Sequence, residues 1–370
     1  MIYLDYQATT PLAPEVRPAM EPWLDKFANP HSPNRWGREA AAAIAVARDL
    51  VAMAMPAGGQ VLFTSGATEA INWALKGLAE QATGERRRIV TVATEHAAVL
   101  DSCEWLEGRG LEVVRLPVRA DGIVDLDAVR AAVDERTLVV AVMLVNNEIG
   151  VIQPVAEVAA IAHAAGALML CDAVQGFGRM DVPDGPDLVT ACAHKIHGPK
   201  MIGALWIRDG IRLEPLIHGG GQEQGLRSGT LSPMLVAGFG TAAKLALERR
   251  TEDAAHVERL WTAAREALGP AWSVNGSTEA RYRGNLNIRR EGLDAARLIS
   301  DLRDIAFSLG SACASGSGRP SHVLRALGLS DGQARASVRL GFGRYTSEEE
   351  LVAACRRINA AAEAQQGLAA

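Results

Sequence analysis

ACAHKIHGPK, Ala191–Lys200, is the most informative stretch of the sequence, because it places Lys195 among residues suited to a reactive lysine. A lysine that forms a Schiff base needs a pocket, a neighbouring imidazole or aromatic plane, and small residues that let a cofactor approach. His194 precedes this lysine, and His197-Gly198-Pro199 follow it. The apolar run Asp187–Cys192 directly upstream predicts a short buried strand. Alone the stretch decides little, since most lysines beside a histidine are ordinary surface residues.

An acidic residue ends the preceding apolar run and matches this lysine. The buried-looking run Ala167–Cys171 leads into Asp172, and Gln175 follows three residues later. Pyridoxal phosphate chemistry needs a lysine for the cofactor aldehyde and an aspartate that keeps the pyridine nitrogen protonated, so that the ring withdraws electrons. We therefore expect Lys195 and Asp172 to serve one pyridoxal phosphate group.

The segment FTSGATEA, Phe63–Ala70, predicts an anion site. It joins an apolar strand-like run to a helical pattern with apolar residues at positions 70, 71, 74, 75 and 78. The free N–H groups and the dipole at such a helix start attract a phosphate. An ordinary capped helix is the alternative, and TSGAT alone does not decide between the two.

Two further apolar runs end in polar side chains. Ile89–Ala93 leads into Thr94-Glu95-His96, and Leu138–Val145 leads into Asn146-Asn147-Glu148. Open α/β sheets bind their ligands at the carboxyl ends of the strands. His96 and Asn147 are therefore candidate site residues.

Alternation of strand-like and helix-like segments predicts an α/β fold with a mostly parallel central sheet flanked by helices. The strand-like runs are residues 61–64, 88–93, 112–116, 138–145, 167–171, 187–192 and 203–207. Helix-like stretches include 38–55, 155–165 and 233–267, while 284–288, 294–303 and 337–341 indicate a smaller α+β C-terminal domain. We expect a large domain at 14–250, and a small domain made of 1–13 and 251–370.

Composition excludes several classes of protein. A formal charge of −5 with scattered arginines does not indicate nucleic-acid binding, and 48% apolar residues can bury a sizeable core. The longest apolar run, Leu138–Val145, is far short of the ~20 residues that cross a bilayer. No basic-then-apolar signal segment opens the chain. GGGQEQG, Gly219–Gly225, fails the spacing of a dinucleotide fingerprint, which argues against a dehydrogenase.

Five cysteines without a CxxC pair support neither a zinc knuckle nor a disulfide framework, so no structural metal is expected. Three of them lie in apolar contexts and are predicted to be packing residues: Cys103, Cys171 and Cys355. A soluble protein of the reducing cytoplasm fits this pattern.

Nine segments, in order from Tyr3 to about Tyr345, resemble those of cysteine desulfurases. This family of fold-type I pyridoxal phosphate enzymes belongs to the class V aminotransferases, and the resemblance is to its NifS/IscS-like branch. No single segment is specific, but the ordered combination is. The segments are YLDYQATTPLAPEV, NPHSPNRWGREA, FTSGATEA, TEHAAVLDS, VNNEIGVIQP, CDAVQGFG, AHKIHGPK, GGGQEQGLRSGT and SACASGSGRPSHVLRALGL.

The resemblance implies a role for each matching residue around the ring. Lys195 would form the Schiff base and later move the substrate's α-proton. Asp172 would pair with the pyridine nitrogen, and Gln175 would bond the phenolic oxygen. His96 would stack on the ring and shuttle protons, and Asn147 would lie beside the ring and the substrate.

Other matching residues would hold the phosphate. Ala67, Thr68 and His194 would bind it within one subunit, and Thr230 would reach it from the partner subunit of a homodimer. Cys192 stands where family members commonly carry a phosphate-binding serine. Because a thiol donates weakly, that contact is a departure from the family pattern.

Arg339, in SVRLGFGRYT, resembles the arginine that grips the substrate carboxylate, a bidentate task that suits a guanidinium. Without the resemblance, an ion-paired strand arginine is the simpler interpretation. Two other positions depart from the family pattern: Met201 replaces a usual glycine after GPK, and Gln224 stands where relatives often have arginine.

Cys313 lies in the small, glycine-rich segment Ser308–Gly318, which predicts a mobile loop. A thiolate is a strong nucleophile, and mobility would let it enter and leave a deep site. A buried, inert cysteine is the alternative. The resemblance implies that Cys313 attacks the sulfur of bound L-cysteine, becomes a persulfide and leaves L-alanine. Cys313 could also be a transient iron–sulfur ligand.

The expected function is therefore that of a cysteine desulfurase that passes sulfur to an acceptor, such as an iron–sulfur scaffold protein. A selenocysteine lyase or an aminotransferase of the same fold would share Lys195 and Asp172. A non-catalytic partner protein that retains the fold is the alternative from another class. The intact set of Lys195, Asp172, His96 and Cys313 argues against it.

Overall fold

The computed structural model describes residues 1–82, 84–309 and 320–367, so Cys313 lies outside the described residues. The described chain contains thirteen strands, with short and long helices between many of them. The strands are β1 Ile2–Tyr3, β2 Gly59–Thr64, β3 Arg88–Val92, β4 Glu112–Leu116, β5 Thr137–Ala141, β6 Leu168–Asp172, β7 Leu188–Cys192, β8 Gly203–Arg208, β9 Ser273–Val274, β10 Asn285–Arg289, β11 Ile305–Ala306, β12 Ser308–Leu309 and β13 Ser337–Gly341.

The α-helices cover both faces of the larger sheet and one face of the smaller. They are α1 Arg17–Met20, α2 Pro22–Asp25, α3 Arg35–Ala52, α4 Ala67–Gln81, α5 Ala97–Glu107, α6 Leu126–Ala132, α7 Val155–Ala164, α8 Pro233–Leu268, α9 Ala295–Asp301, α10 His322–Ala326, α11 Asp331–Arg335 and α12 Glu348–Gly367. No described helix is both long and apolar enough to cross a membrane.

The central sheet has seven strands in the order β2-β8-β7-β6-β5-β3-β4. Strands β3 to β7 run parallel to one another, and β8 pairs antiparallel with β2 and β7. Fully buried side chains fill β3 and β7, as expected for a sheet covered on both faces. This mostly parallel α/β sheet confirms the predicted fold class.

Some element bounds differ from those predicted. The apolar run 138–145 is a regular strand only to Ala141. Beyond it, the N–H groups of Val142 and Leu144 still donate to the carbonyls of Leu170 and Asp172, but Val145 pairs with Ile152. Helix α3 begins at Arg35, since the Asn34 side chain accepts the Gly37 N–H at 2.9 Å and caps it there. A hydrophobic periodicity predicts the body of a helix, but a polar cap sets its start.

A second, antiparallel sheet has the order β12-β13-β10-β9, and the short strands β1 and β11 form a separate pair. Helix α8 crosses residue 250 without a break: Val236–Ala246 pack in the large-sheet core, and Leu260–Leu268 pack against the small sheet. The division into residues 14–250 and residues 1–13 with 251–370 stays a prediction.

Candidate active site

One cavity of about 610 Å³ lies at the carboxyl ends of the parallel strands and extends to β13. It brings together all but two of the predicted site residues, from segments far apart in sequence. They are Ala67, Thr68, His96, Asn147, Asp172, Gln175, Cys192, His194, Lys195 and Arg339. The two others are Thr230, which is exposed and does not line this cavity, and Cys313, which is outside the described residues.

Lys195 ends a single 3₁₀ turn, Ala193–Lys195, that follows β7. Its Nζ donates to the carbonyl oxygens of Gln7 at 2.5 Å and Ala8 at 2.8 Å. Burial lowers the pKa of Lys195, and the charges of Arg179 and Arg339 add to that direction. A lysine with a lowered pKa can hold a neutral amine, which is the form that attacks a carbonyl or accepts a proton.

Asp172 is the last residue of β6, and its side chain is buried. Its Oδ1 accepts the Val174 N–H at 3.0 Å and the Thr190 hydroxyl at 3.4 Å. Burial raises the pKa of Asp172, while the nearby His96 and Lys195 oppose that shift. A carboxylate desolvated in this way is strongly stabilised by a cationic group placed in the cavity.

His96 is the N-cap of α5, and its Nδ1 accepts the Ala98 N–H at 3.1 Å. Since Nδ1 acts as an acceptor, a neutral ring carries its proton on Nε2. The cap therefore orients the imidazole and selects one tautomer.

The start of α4 lines the end of the cavity where the sequence predicts an anion site. Gly66 is the N-cap, and no described side chain caps this helix. Thus Ala67 and Thr68 stand at an uncapped helix N-terminus, which favours the anion site over the ordinary capped helix. Glu69, one residue further, is turned to the Ser65 N–H at 2.7 Å and is held by Arg227 at 2.8 Å.

Two other predicted phosphate ligands are uncharged. His194 Nδ1 lies 3.2 Å from Thr9 Oγ1, and burial, together with Lys195 and Lys200, lowers the pKa of His194 to about 4. Burial raises the pKa of Cys192 to about 12, so its side chain stays a thiol. Cys103, Cys171 and Cys355 are buried away from the cavity among apolar residues.

Arg339 reaches the cavity from the middle of β13, although only 1% of its surface is exposed. Its guanidinium donates to the Asn147 carbonyl at 3.0 Å, to Asp5 Oδ1 at 2.7 Å and to Ser308 Oγ at 3.3 Å. Its Nε is buried without a partner among the described residues. Arg339 therefore fits both interpretations: it is ion-paired with Asp5 from within a strand, and it also supplies a cation to the cavity.

Sequence reasoning missed the N-terminal segment as a wall of the cavity. Gln7, Ala8 and Thr9 line it, and Gln7 is also bonded to Gln175 Nε2 at 3.0 Å. The one sequence signal for these residues is the polar stretch DYQATT, which follows the first apolar residues. This stretch does not predict where the segment lies in the fold. At the mouth, Met201 is 69% exposed and has φ of 64°, a left-handed conformation that favours glycine.

Glu148 was also missed, although it is next to a predicted residue. It is buried behind Asn147, and its carboxylate accepts a hydrogen bond from the Ser321 hydroxyl. Its backbone carbonyl accepts a hydrogen bond from Asn287 Nδ2 at 2.9 Å. Burial raises the pKa of Glu148 to about 7, despite the opposing effects of Ser321 and Arg339. No sequence pattern distinguishes this glutamate from a solvated one.

The class-V aminotransferase family pattern matches residues 2–353. The chain belongs to the class-V aminotransferase family, which confirms the resemblance predicted from the sequence. A curated relative, the cysteine desulfurase IscS of Rickettsia bellii strain OSU 85-389, is 43% identical over 373 residues, covering 97% of this chain and 91% of the relative.

Solved structures agree with this membership. A NifS-like protein superposes with a TM-score of 0.90 at 34% identity, covering 97% of this chain and 98% of its own. The structure described as SspA in complex with cysteine has a TM-score of 0.80 at 34% identity, and the match covers 94% of this chain and 100% of the other.

Proposed function

We propose that this chain is a pyridoxal phosphate-dependent cysteine desulfurase, which converts L-cysteine to L-alanine and carries the released sulfur as a persulfide on Cys313. The observation that carries the proposal is the meeting of Lys195, Asp172 and Arg339 in one cavity. The curated relatives that are named cysteine desulfurases support it, at 42–43% identity over nearly the whole chain. They do not favour a selenocysteine lyase or an aminotransferase.

The residues of the cavity fit pyridoxal phosphate in charge and in position. An uncapped helix start at Ala67 suits its phosphate, and the buried Asp172 suits a protonated pyridine nitrogen. Gln175 and His96 would bind its phenolic oxygen and its ring face, and Cys192 and His194 would add contacts at the phosphate. When bound, the group supplies an electron sink that stabilises negative charge at the substrate α-carbon.

The protein's own groups then divide the remaining work. Lys195 Nζ, with its lowered pKa, takes and returns a proton at the substrate α-carbon. His96 carries the proton on Nε2, because Nδ1 is held by the Ala98 N–H. Arg339 binds the substrate carboxylate beside the Asn147 carbonyl, and its pairing with Asp5 keeps the guanidinium in place when no substrate is bound.

Sulfur transfer requires a nucleophile that leaves with the sulfur atom. The Cys313 thiolate attacks the sulfur of L-cysteine, a sulfur–sulfur bond forms, and the substrate's carbon–sulfur bond breaks. The electron pair of the broken bond stays with the carbon, which takes up a proton to become the methyl group of alanine. Cys313 is left as a persulfide, the form in which an acceptor thiol can take the sulfur.

We place the enzyme in the reducing cytoplasm as a homodimer that delivers sulfur to an acceptor protein, such as an iron–sulfur scaffold. The exposure of Thr230 on its own subunit agrees with a residue that serves the partner's phosphate. Arg227, in the same segment, is bonded to Glu69 at the start of α4, so that the segment is anchored beside the predicted anion site.

The fate of sulfur in Cys313 variants tests the proposed function. Wild-type protein given L-cysteine without reductant should gain the mass of one sulfur atom on the peptide that contains Cys313. Cys313→Ser and Cys313→Ala should still bind L-cysteine, because Lys195, Asp172 and Arg339 are intact, but sulfide release should collapse. A serine hydroxyl has neither the acidity nor the softness to attack a thiol sulfur.

The substrate comparison separates the alternatives. Alanine and sulfide formed from cysteine at the wild-type rate by Cys313→Ala would contradict the desulfurase. A selenocysteine lyase would survive that mutation on selenocysteine, since selenium leaves more readily without thiol attack. A purified protein with no visible absorption band after incubation with pyridoxal phosphate would instead be a non-catalytic partner.

A further inference from the structure

Arg179 lies behind the cavity wall, in the turn that follows β6. Gly178, directly before it, has φ of 72°, and a Cβ there would lie 2.8 Å from the Cβ of Ala246. Only glycine fits this left-handed, crowded position without strain, so the turn that leads into Arg179 depends on it.

The guanidinium of Arg179 contacts two residues that the proposed function uses. One nitrogen donates to Gln175 Oε1 at 2.8 Å and to the Gln175 carbonyl at 3.1 Å. The other donates to the carbonyl of Lys195 at 2.6 Å. The ring of Tyr282 lies 4.9 Å from the guanidinium carbon. Arg179 therefore connects the amide of one cavity residue to the backbone of the other.

These contacts determine which atom Gln175 presents to the cavity. Its Oε1 is engaged by Arg179, and one hydrogen of Nε2 is engaged by the Gln7 carbonyl at 3.0 Å. The reversed amide would set an NH₂ group against a guanidinium and an oxygen against a carbonyl, which is unfavourable at both ends. Gln175 can therefore offer the cavity a donor, which suits a phenolic oxygen.

The charge of Arg179 also acts on Lys195. Besides Lys195 itself, the charged residues that line a second cavity of about 210 Å³ behind the lysine are the cations Arg179, Arg281, Arg283 and Arg344 and the acids Asp253 and Glu258. Both carboxylates are already engaged, Asp253 with Arg344 at 2.6 Å and Glu258 with Arg283 at 3.3 Å. Hence the positive charge of Arg179 is not cancelled by these acids, and it lowers the pKa of Lys195 beyond the effect of burial.

We infer that Arg179 is a positioning residue of the active site, which fixes the donor face of Gln175 and the backbone and charge environment of Lys195. The inference rests on the proposed function, since it assumes that both residues serve a bound cofactor. Arg179 does not line the 610 Å³ cavity, so it acts through these two neighbours.

Replacement of Arg179 by methionine tests the inference in the cofactor-loaded protein. The pH midpoint of the visible absorption band reports the proton on the Lys195 nitrogen. Loss of the nearby cation and of the oriented Gln175 donor both favour that proton, so Arg179→Met should raise the midpoint by about half a pH unit or more. The kcat for alanine formation should fall about tenfold with little change in KM, because Arg339 is untouched.

Arg250→Met is the matched control. Arg250 pairs with the exposed Asp181, which is two residues from Arg179 in the sequence. Arg250 contacts neither Gln175 nor Lys195. The kcat of the double variant Gln175→Met/Arg179→Met should fall by less than the product of the two single-variant factors, because both changes remove one shared interaction. A multiplicative loss would overturn the action through Gln175.

Equal midpoints and equal kcat in Arg179→Met and Arg250→Met would overturn the inference. If Arg179→Met does not fold, Arg179→Lys replaces it, since one ammonium group cannot reproduce the two-nitrogen bridge. A smaller rise of the pH midpoint in Arg179→Lys would then support the inference. A midpoint and a kcat equal to those of Arg250→Met would overturn it. Failure of the proposed function is distinct, because wild-type protein would then show no visible band or form no alanine.

Discussion

The two walls of the cavity bury their cations in different ways. On the large-sheet wall, Lys195 Nζ is bonded to the uncharged carbonyls of Gln7 and Ala8, and its pKa is lowered. On the small-sheet wall, formed around β13, Arg339 is bonded to the carboxylate of Asp5 and to Ser308. A lysine held by neutral groups can change its protonation, whereas a paired guanidinium keeps its charge. The first wall suits proton transfer, and the second suits binding of a constant negative charge.

Lys195→Ala should have the largest effect, because it removes the atom that we propose transfers the proton on the large-sheet wall. We expect alanine formation to fall by about 10³-fold or more. The unfolding free energy should change by only about 1–2 kcal/mol, since two hydrogen bonds and no apolar packing are lost. Steady-state kinetics and denaturant unfolding measure the two quantities.

Lys200→Ala is the control for Lys195, because it lines the same cavity but is exposed. Borohydride reduction of the loaded wild-type protein should place the cofactor on Lys195. An adduct on Lys200 would show that the wrong lysine was assigned to the large-sheet wall.

Arg339→Lys tests the binding role of the small-sheet wall. Loss of a fork that can hold a carboxylate at two points should raise KM for L-cysteine about 10- to 100-fold, with a smaller change in kcat. The visible absorption of the cofactor should be unchanged, since its ligands lie on the other wall. Arg357→Lys, in an exposed two-point pair with Asp304 at 2.7 Å, is the control. A fall in kcat with no change in KM would show that Arg339 does not act by binding the substrate, so that the two walls would not differ in this role.

Glu148→Gln tests a pH dependence at the place where the segment after β5 contacts Ser321 and Asn287. The pKa of Glu148 rises from 4.5 to about 7 on folding. Between these values the folded state binds more protons than the unfolded state, so this group's contribution to stability is present below pH 4.5 and is lost as the pH rises through about 7. Wild-type apoprotein should therefore lose on the order of 1–3 kcal/mol more than Glu148→Gln between pH 5 and pH 8.

Unfolding free energies at the two pH values measure this difference. Asp172 and Glu95 also have raised pKa values, but both are present in wild type and variant alike, so that their effects cancel. Glu248→Gln, at an exposed position on α8, should behave as wild type. A parallel pH response of wild type and Glu148→Gln would show that Glu148 is charged in the folded protein.

Cys192→Ser should have the smallest effect, and it acts on the large-sheet wall. If Cys192 contacts the phosphate, a hydroxyl is the better hydrogen-bond partner, and cofactor affinity should rise by up to about 1 kcal/mol. Equilibrium titration of apoprotein with pyridoxal phosphate measures the change, and Cys355→Ser, buried far from the cavity, is the control. Weaker cofactor binding would mean that Cys192 is a packing residue whose pocket rejects a hydroxyl.

Most of the large-sheet wall could be predicted from the sequence. Asp172, Cys192 and His96 each follow an apolar run, and the run by itself predicts a buried strand. Parallel strands meet with their carboxyl ends at one edge, so residues that follow them come together whatever lies between. The position of the start of α4 at this edge was predictable for the same reason, although the absence of a side-chain cap there, and with it the choice between anion site and capped helix, required the structure.

The small-sheet wall could not be predicted in this way. Arg339 lies within a strand, and its partner Asp5 is 334 residues away along the chain; Lys195 is likewise 188 residues from Gln7. No periodicity of hydrophobic residues indicates such pairs, since they depend on how two sheets and the N-terminal segment pack. The apolar runs alone indicated which segments form the parallel strands, because such a run is a local signal of a buried strand. Which cation stays paired and which carboxyl group is buried follows from the tertiary packing, because desolvation depends on everything that packs around a charge.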